Sequence, residues 1–557
     1  MTEQAASSAT ASGRHTRWDC LAIALSATVP LLLLAPLHDT PFIDDWTYAW
    51  SVETLLQGGG LQRLDWSVHD NVSQVLWGAL FCLPGGFSFT ALRASTWALG
   101  TSGLIALYLL LRQVGIGRRD ALLGTAAFGA NPIVFALTFT YMTDVPFVAL
   151  ATWSSLAMTL SLRRRSEAWL AAAALGAALA VGVRAVGVVL PVAMALTLLV
   201  AAGRWGRHPR RVALAVLPLA AFAGLAWWAT TQVHVVVADL ADVYNSPIQR
   251  VRYLFYSLRA LPQSTLDALG STTLLGLALS PLLLAGIQRR RIRASVAAAA
   301  ALAALLGIAG LGDTAYKPPL AEDSIWALRE LGPAESLVPA YERIGAEPVT
   351  WLLVPVALLL SGLGVAAVWR RRRVQPSEVF LGLTLLGHFG LVALLWLFYD
   401  RYMPPLLVPA LALVLMNQPV RRPAIALVGL AALASLSLVG MRDHLAYDRA
   451  VWLGVDSLRR LGARDAEINA GYPVNGWLQY AHPEHAPRDT DGRPRIPWIN
   501  GSKEDPLRYW VANRPVAGYR TLQAIPYRRW LGRSGWIFVL ERLRTGAAGT
   551  LPEPGAR

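Results

Sequence analysis

The feature that most limits how this chain can fold is a series of apolar runs, many of them about 18 or more residues long. Runs of this length cross a bilayer as helices, and they lack the alternation that membrane-spanning strands require. The composition agrees, because only 15% of the residues are charged, against about 25% in a soluble protein. The sequence therefore predicts a polytopic membrane protein.

The net charge of +15 comes from arginines that stand in short clusters between the apolar runs. This is the placement that the positive-inside rule predicts for cytoplasmic loops. A nucleic-acid-binding surface would carry its charge on one continuous face, so we expect no nucleic-acid partner. The clusters are Arg112 with Arg118 and Arg119, Arg163 to Arg165, Arg204 with Arg207, Arg210 and Arg211, Arg289 to Arg291 with Arg293, Arg370 to Arg373, and Arg421 with Arg422.

These patterns predict an all-α polytopic membrane protein with about thirteen transmembrane helices in the cell (inner or plasma) membrane. Residues 1–18 are expected to be a disordered cytoplasmic tail and residues 19–440 the transmembrane domain. The apolar piece at 72–83 is too short to span and is expected to lie at the outer interface. The predicted spans lie at 19–37, 89–111, 120–138, 144–162, 167–183, 186–202, 211–231, 264–288, 294–311, 350–370, 376–398, 403–417 and 421–440.

The composition changes sharply after residue 440. Residues 441–557 begin with a helical pattern and then become rich in Pro, Gly, Trp and Tyr, with strands expected at 520–525 and 535–540. We interpret this part as a small α/β domain on the extracytoplasmic side. Its tryptophans could bind carbohydrate or form a core, and the core is the favoured interpretation.

Two adjacent acids, Asp44 and Asp45, lie in the first outer loop, which we place at 38–88. They precede a segment that suits a short helix, where the helix dipole favours carboxylates. Asp144 stands in a similar position, in an apolar stretch before a later span. Each acid could be only a helix cap. Together they predict an outward-facing site at membrane level, because an acid in such surroundings is costly unless it is paired, solvated or functional.

A very short outer turn carries Asp400, Arg401 and Tyr402, followed by Met403-Pro404-Pro405. Arg401 breaks the positive-inside trend. It could pair with Asp400, or its guanidinium could hold a phosphate at the headgroup level.

Weaker candidates remain on the same side of the membrane. Arg184 and Lys317 are further possible phosphate contacts, and His69 could belong to the same outer cavity or to an exposed loop pair with Asp70. His388 lies inside a predicted span, where packing or a hydrogen bond is the favoured interpretation.

This arrangement resembles the membrane-embedded C-type glycosyltransferases, in particular the branch with the aminoarabinose lipid A transferases and protein O-mannosyltransferases. The resemblance is carried by Asp44-Asp45-Trp46-Thr47-Tyr48-Ala49 in the first loop, Asp144 before a span, and Arg401-Tyr402 before Pro405. It covers about residues 19–440. This sequence departs from the family's pattern at Asp45, where many members have Glu, and at His69-Asp70-Asn71-Val72, which replaces a Lys-Pro-Pro element.

The resemblance implies a hexosyl or pentosyl transferase with a polyprenyl-phosphate sugar as donor and a lipid, glycan or protein as acceptor. Asp44 would be the base and Asp144 the second acid. As substrate-binding residues we predict Asp45, Tyr48, His69, Arg401, Tyr402 and Lys317. No cofactor is implied with certainty; a divalent metal, if one takes part, would be held by Asp44 and Asp144.

The residues suit sugar transfer from a lipid phosphate even without the resemblance. A lipid phosphate is a good leaving group, so one base for the acceptor hydroxyl and cations for the departing phosphate suffice, and direct displacement inverts the anomeric centre. The alternatives are a transporter or flippase, for which internally repeated halves and midplane charges are expected, and a non-catalytic scaffold built around the C-terminal domain. The chain shows no such repeat, and its notable acids lie on one face.

Overall fold

The computed structural model describes residues 2–34, 39–67, 71–236, 279–286, 374–393, 400–486, 488, 492, 494, 507–530 and 534–543. The chain divides into two compact units. The membrane unit comprises Met1–Asp39 and Tyr48–Arg442, and the C-terminal unit comprises Thr40–Thr47 and Asp443–Arg557. The candidate acids Asp44 and Asp144 therefore belong to different units.

The described residues of the membrane unit are mainly helical and include one pair of short parallel strands, β1 (Arg63–Leu64) and β2 (Val233–His234). Its helices in the described part of the chain are α1 (Thr2–Leu34), α2 (Asp45–Leu56), α3 (Val72–Cys82), α4 (Phe89–Gln113), α5 (Arg118–Gly129), α6 (Pro132–Thr138), α7 (Asp144–Arg164), α8 (Glu167–Val181), α9 (Val189–Val200), α10 (Gly203–Gly206), α11 (Pro209–Thr231), α12 (Ser280–Ala285), α13 (Pro376–Ala393), α14 (Pro404–Asn417) and α15 (Pro423–Arg460). The first residues of α2 and the last part of α15, from Asp443, belong to the C-terminal unit.

Five helices of the described residues are long and apolar enough to cross a membrane, or six if one bent pair counts as a single span. The multi-pass membrane prediction is thus confirmed, whereas the count of about thirteen is not. The predicted spans at 294–311 and 350–370 lie outside the described residues, and so does most of 264–288. Other predicted spans form shorter helices, such as α8 and α14.

The predicted span at 120–138 is broken, because α5 and α6 meet at an angle of 67°. The break has a local cause in the sequence. Asn131 caps α6 by accepting hydrogen bonds from the backbone N–H groups of Ile133 and Val134, at 3.0 and 3.2 Å. Pro132 then occupies the first position of α6, where its missing N–H costs nothing. The sequence reading missed this cap and treated the two pieces as one span.

Two other helices extend beyond their predicted limits. Helix α1 begins at Thr2, so it includes the stretch expected to be a disordered tail; that stretch contains alanines and no proline, which suits a helix. Helix α15 continues for 38 residues to Arg460, well past the predicted membrane boundary at 440. The short piece at 72–83 is a helix, α3, as expected.

The C-terminal unit contains a four-stranded sheet of β3 (Ile468–Asn469), β4 (Tyr509–Ala512), β5 (Tyr519–Tyr527) and β6 (Gly535–Arg542). The strand order is β3-β4-β6-β5; β3 and β4 are parallel, and β6 is antiparallel to both of its neighbours. Both strands expected from the sequence, at 520–525 and 535–540, are present. Val511 and Val539 of the sheet join Val455 and Leu458 of α15 in one buried apolar cluster, the core of this unit.

Candidate active site

Helices α7 and α8 form a helical hairpin that brings the beginning of one helix beside the end of the other. They are joined at Arg165, which adopts a left-handed conformation, and Ser166, whose side chain caps α8. Small residues allow the two helices to approach closely: the Ser154 hydroxyl donates to the Ala173 carbonyl at 2.8 Å, and Gly176 faces Ser154. Because the hairpin is antiparallel, the residue that begins α7 meets the turn that follows α8.

Those two positions are occupied by Asp144 and Arg184, which form an ion pair through Oδ1 and Nη1. The pair is buried, with side-chain exposures of 1% for Asp144 and 6% for Arg184. Within the described part of the chain, the other carboxylate oxygen of Asp144 and the Nε–H of Arg184 have no hydrogen-bond partner. A buried polar atom without a partner costs about 1–3 kcal/mol, so this arrangement is poised to receive a polar ligand or water.

The same cluster includes the turn at Arg401 and Tyr402. The Arg184 guanidinium lies 5.4 Å from the centre of the Tyr402 ring, and the Arg401 guanidinium lies 5.8 Å from it. Stacking on an aromatic ring fixes a guanidinium without using its N–H groups, which remain directed at other acceptors. The structure therefore brings together three of the predicted residues, Asp144, Arg401 and Tyr402, with Arg184.

Helix α3 forms hydrogen bonds with the segment before Asp144 and with the segment before Arg184. The Gln74 side chain donates to the Tyr141 carbonyl at 2.9 Å, and the Tyr141 hydroxyl donates back to the Gln74 carbonyl at 2.9 Å, just before Asp144. One residue earlier, the Ser73 N–H donates to the Gly182 carbonyl at 2.9 Å, just before Arg184. A Cβ at Gly182 would collide with the Ser73 hydroxyl, so glycine is needed for this approach. The sequence analysis did not predict these hydrogen bonds, although a glutamine in an apolar helix indicates a hydrogen-bond partner.

The acids of the first loop behave differently from each other within the C-terminal unit. Asp45 is fully buried and accepts a hydrogen bond from the Phe42 N–H at 2.7 Å, which is a structural capping role. Asp44 is half-buried, and its Oδ1 accepts a hydrogen bond from the Tyr472 hydroxyl at 2.5 Å. Between Phe42 and Asp44, Ile43 has a φ of 39°, which is strained for a β-branched residue. Such strain clusters at functional sites.

The other candidate residues from the sequence do not belong to this described cluster. Tyr48 is buried on α2 in the membrane unit, whereas His69 and Lys317 lie outside the described residues. His388 is packed, as the sequence indicated: its Nδ1 lies 3.0 Å from the Thr384 carbonyl of its own helix, and its ring meets Phe147 of α7 edge-on. Among the described residues there is no group of three or more His, Cys, Asp or Glu side chains that could hold a metal.

Residues 74–228 match the family model described as dolichyl-phosphate-mannose-protein mannosyltransferase. The protein O-mannosyltransferases belong to the branch of C-type glycosyltransferases that the sequence motifs resemble. The resemblance carried by the sequence motifs is thus confirmed, and the matched glycosyltransferase segment contains both Asp144 and Arg184. No curated protein sequence matches the chain.

Solved structures of C-type glycosyltransferases are similar to the chain at low identity. ArnT from Cupriavidus metallidurans bound to undecaprenyl phosphate is 13% identical, with 95% of this chain and 98% of that chain covered and a TM-score of 0.41. The protein O-mannosyltransferase complex of S. cerevisiae bound to the sugar donor is 14% identical, with 39% and 33% covered and a TM-score of 0.31. The oligosaccharyltransferase AglB from Archaeoglobus fulgidus, in complex with an inhibitory peptide and a dolichol-phosphate, is 14% identical, with 87% and 57% covered and a TM-score of 0.32.

Proposed function

We propose that this protein moves a sugar from a polyprenyl-phosphate donor to a lipid, glycan or protein acceptor on the extracytoplasmic side of the cell membrane. The glycosyltransferase segment supports the reaction class, because its family is described by a dolichyl-phosphate sugar donor. The transfer is a direct displacement, so the anomeric centre is inverted.

The observation that carries the proposal is the buried pair of Asp144 and Arg184. Counting only the described residues as partners, one carboxylate oxygen of Asp144 and the Nε–H of Arg184 are unpaired in it. A guanidinium N–H suits a phosphate oxygen, and a carboxylate oxygen suits a sugar hydroxyl. A sugar phosphate carries both kinds of group, so its chemistry matches both unpaired atoms.

The proposed mechanism assigns one role to each group. Asp44 takes the proton from the acceptor hydroxyl as the acceptor oxygen bonds to the anomeric carbon. The bond between the anomeric carbon and the phosphate oxygen breaks, and the polyprenyl phosphate leaves with the electron pair. Arg184 and Arg401 stabilise the charge that develops on that phosphate. Asp144 holds Arg184 in place and orients a sugar hydroxyl.

A divalent metal shared by Asp44 and Asp144 fits this arrangement poorly. One oxygen of Asp144 is already bonded to a guanidinium, whose positive charge repels a metal cation at the same carboxylate. We therefore assign no step to a metal.

Binding of undecaprenyl phosphate tests the phosphate site without knowledge of the sugar or the acceptor. We expect the wild-type protein to bind undecaprenyl phosphate more tightly than undecaprenol, and Arg401→Gln to lose about 10-fold or more of that preference. Arg118→Gln is the matched control, because it removes the same charge from a side chain that is half exposed. Equal binding of the phosphate and the alcohol by the wild type would contradict the proposal.

A further inference from the structure

The C-terminal unit contains the first-loop segment Thr40–Thr47, and with it the candidate base. The Tyr472 hydroxyl donates to Asp44 Oδ1 at 2.5 Å, across a separation of 428 residues in the sequence. We propose that Tyr472 is a positioning residue that holds the Asp44 carboxylate in the orientation needed to accept the acceptor's proton. This inference rests on the proposed function, in which Asp44 is the base.

The local structure around Tyr472 is well suited to hold its hydroxyl in place. Tyr472 begins a short helix (Tyr472–Asn475) directly after Gly471, whose φ of 87° favours glycine at that turn. Asn475 closes the turn, since its side chain accepts from the Ala470 N–H at 3.0 Å and donates to the Asn469 side chain at 2.8 Å. The tyrosine is thus attached to the end of strand β3.

Trp46 links the tyrosine to the segment that carries Asp44. Its side chain is fully buried, and its ring lies 6.0 Å from that of Tyr472 and 5.5 Å from that of Tyr480. Gly476 lies so close to the indole that a Cβ there would collide with it. Because Trp46 is two residues after Asp44, this packing fixes the backbone of the base and the ring of the tyrosine against each other.

Hydrogen bonds also fix the backbone on both sides of Asp44. The Asp44 carbonyl accepts from the Thr47 N–H at 3.0 Å, and Asp45 is bonded to Phe42 as described above. Since the strained backbone at Ile43 persists only where its surroundings determine it, the remaining freedom of Asp44 is rotation of its side chain. The Tyr472 hydrogen bond restricts that rotation. A general base must lie within hydrogen-bond reach of the proton it takes, so loss of a hydrogen bond that orients the carboxylate slows the proton transfer.

The test is Tyr472→Phe, which removes the hydroxyl and keeps the ring against Trp46. With the undecaprenyl-phosphate sugar that the wild type uses, we expect kcat to fall about 10- to 100-fold, the loss that corresponds to one hydrogen bond to a charged group. The donor KM should stay within about twofold, because the tyrosine does not touch the donor. Tyr472→Gln, which keeps a donor N–H, should recover part of the lost kcat.

The matched control is Tyr519→Phe, which removes a tyrosine hydroxyl that donates to the Leu507 carbonyl at 2.8 Å in the same unit. Its kcat should equal that of the wild type at a similar melting temperature. In the Asp44→Asn background, Tyr472→Phe should cause no further loss, because the tyrosine acts through Asp44.

The outcomes separate the two proposals. A kcat of Tyr472→Phe equal to that of the wild type, with Asp44→Asn inactive, overturns the positioning role alone. A loss of kcat that is as large with Asn at position 44 as with Asp also overturns it. A folded Asp44→Asn variant with full activity overturns the base assignment and this inference together.

Discussion

Breaking the Asp144–Arg184 pair from one side should destabilise the membrane unit more than removing both charges together. In Asp144→Asn, the Arg184 guanidinium stays buried at 6% exposure without its counter-ion. Removing one partner of a buried ion pair costs about 3–5 kcal/mol, and Arg184→Met should cost a similar amount. Replacing both charges leaves no unpaired buried ion, so the double variant should lie within about 1 kcal/mol of the wild type.

Unfolding by SDS in mixed micelles, followed by tryptophan fluorescence, measures these differences for all four proteins. Arg464→Met is the control, because Arg464 and its partner Glu467 both reach solvent, with side-chain exposures of 80% and 22%, so we expect a loss below about 1 kcal/mol. The same samples are then titrated with undecaprenyl phosphate. The stable double variant should no longer bind it, because Arg184 is proposed to contact the phosphate.

Two results would refute this reasoning. If the double variant is no more stable than the weaker single variant, the two charges are not coupled as the structure indicates. If the double variant binds undecaprenyl phosphate as tightly as the wild type does, Arg184 is not a phosphate contact.

Two further predictions concern other parts of the chain. Gly78→Ala should lower stability by about 1–3 kcal/mol in the same SDS assay, because the new Cβ collides with the Tyr141 hydroxyl; Gly382→Ala, in a helix with open space, should be neutral or stabilising by up to about 1 kcal/mol. The hydrogen bond from Arg520 holds the pKa of Glu541 below its ordinary value of 4.5. The stability that Glu541 gives the C-terminal unit is therefore present above that value and lost as the pH falls through the folded pKa. Melting temperatures at pH 7 and pH 3.5 should differ more for the wild type than for Glu541→Gln, and equal differences would contradict the assignment.

The membrane class and the resemblance to the C-type glycosyltransferases follow from the sequence because both depend on local patterns. Apolar run length decides whether a helix can span, and the arginine clusters mark the loops between the runs. The ends of the helices are harder to predict from the sequence. The break between α5 and α6 depends on a single capping residue, Asn131, inside an apolar stretch. Helix α15 continues past the point where the apolar pattern ends, because its later residues pack in the core of the C-terminal unit.

The sequence predicts the charged residues of the candidate site, but it does not predict which residues they bond to. Asp144 and Arg401 are conspicuous as charges in apolar surroundings, which is a one-dimensional signal. That Arg184 pairs with Asp144 follows from the packing of a helical hairpin, and the pairing of Tyr472 with Asp44 joins residues 428 positions apart. Nothing in the sequence around Tyr472 distinguishes it from the other tyrosines of this domain as the partner of Asp44.

Sugar transfer by purified protein, compared between the wild type and Asp44→Asn, tests the central claim most directly. The proteins are incubated with a panel of undecaprenyl-phosphate sugars and candidate lipid, glycan and peptide acceptors, and cleavage of the donor is followed. We expect transfer by the wild type and a kcat about 10²- to 10⁴-fold lower for Asp44→Asn, with undecaprenyl phosphate still bound. A folded Asp44→Asn variant with the activity of the wild type, or donor carried intact across liposomes by a wild type that never cleaves it, would contradict the account.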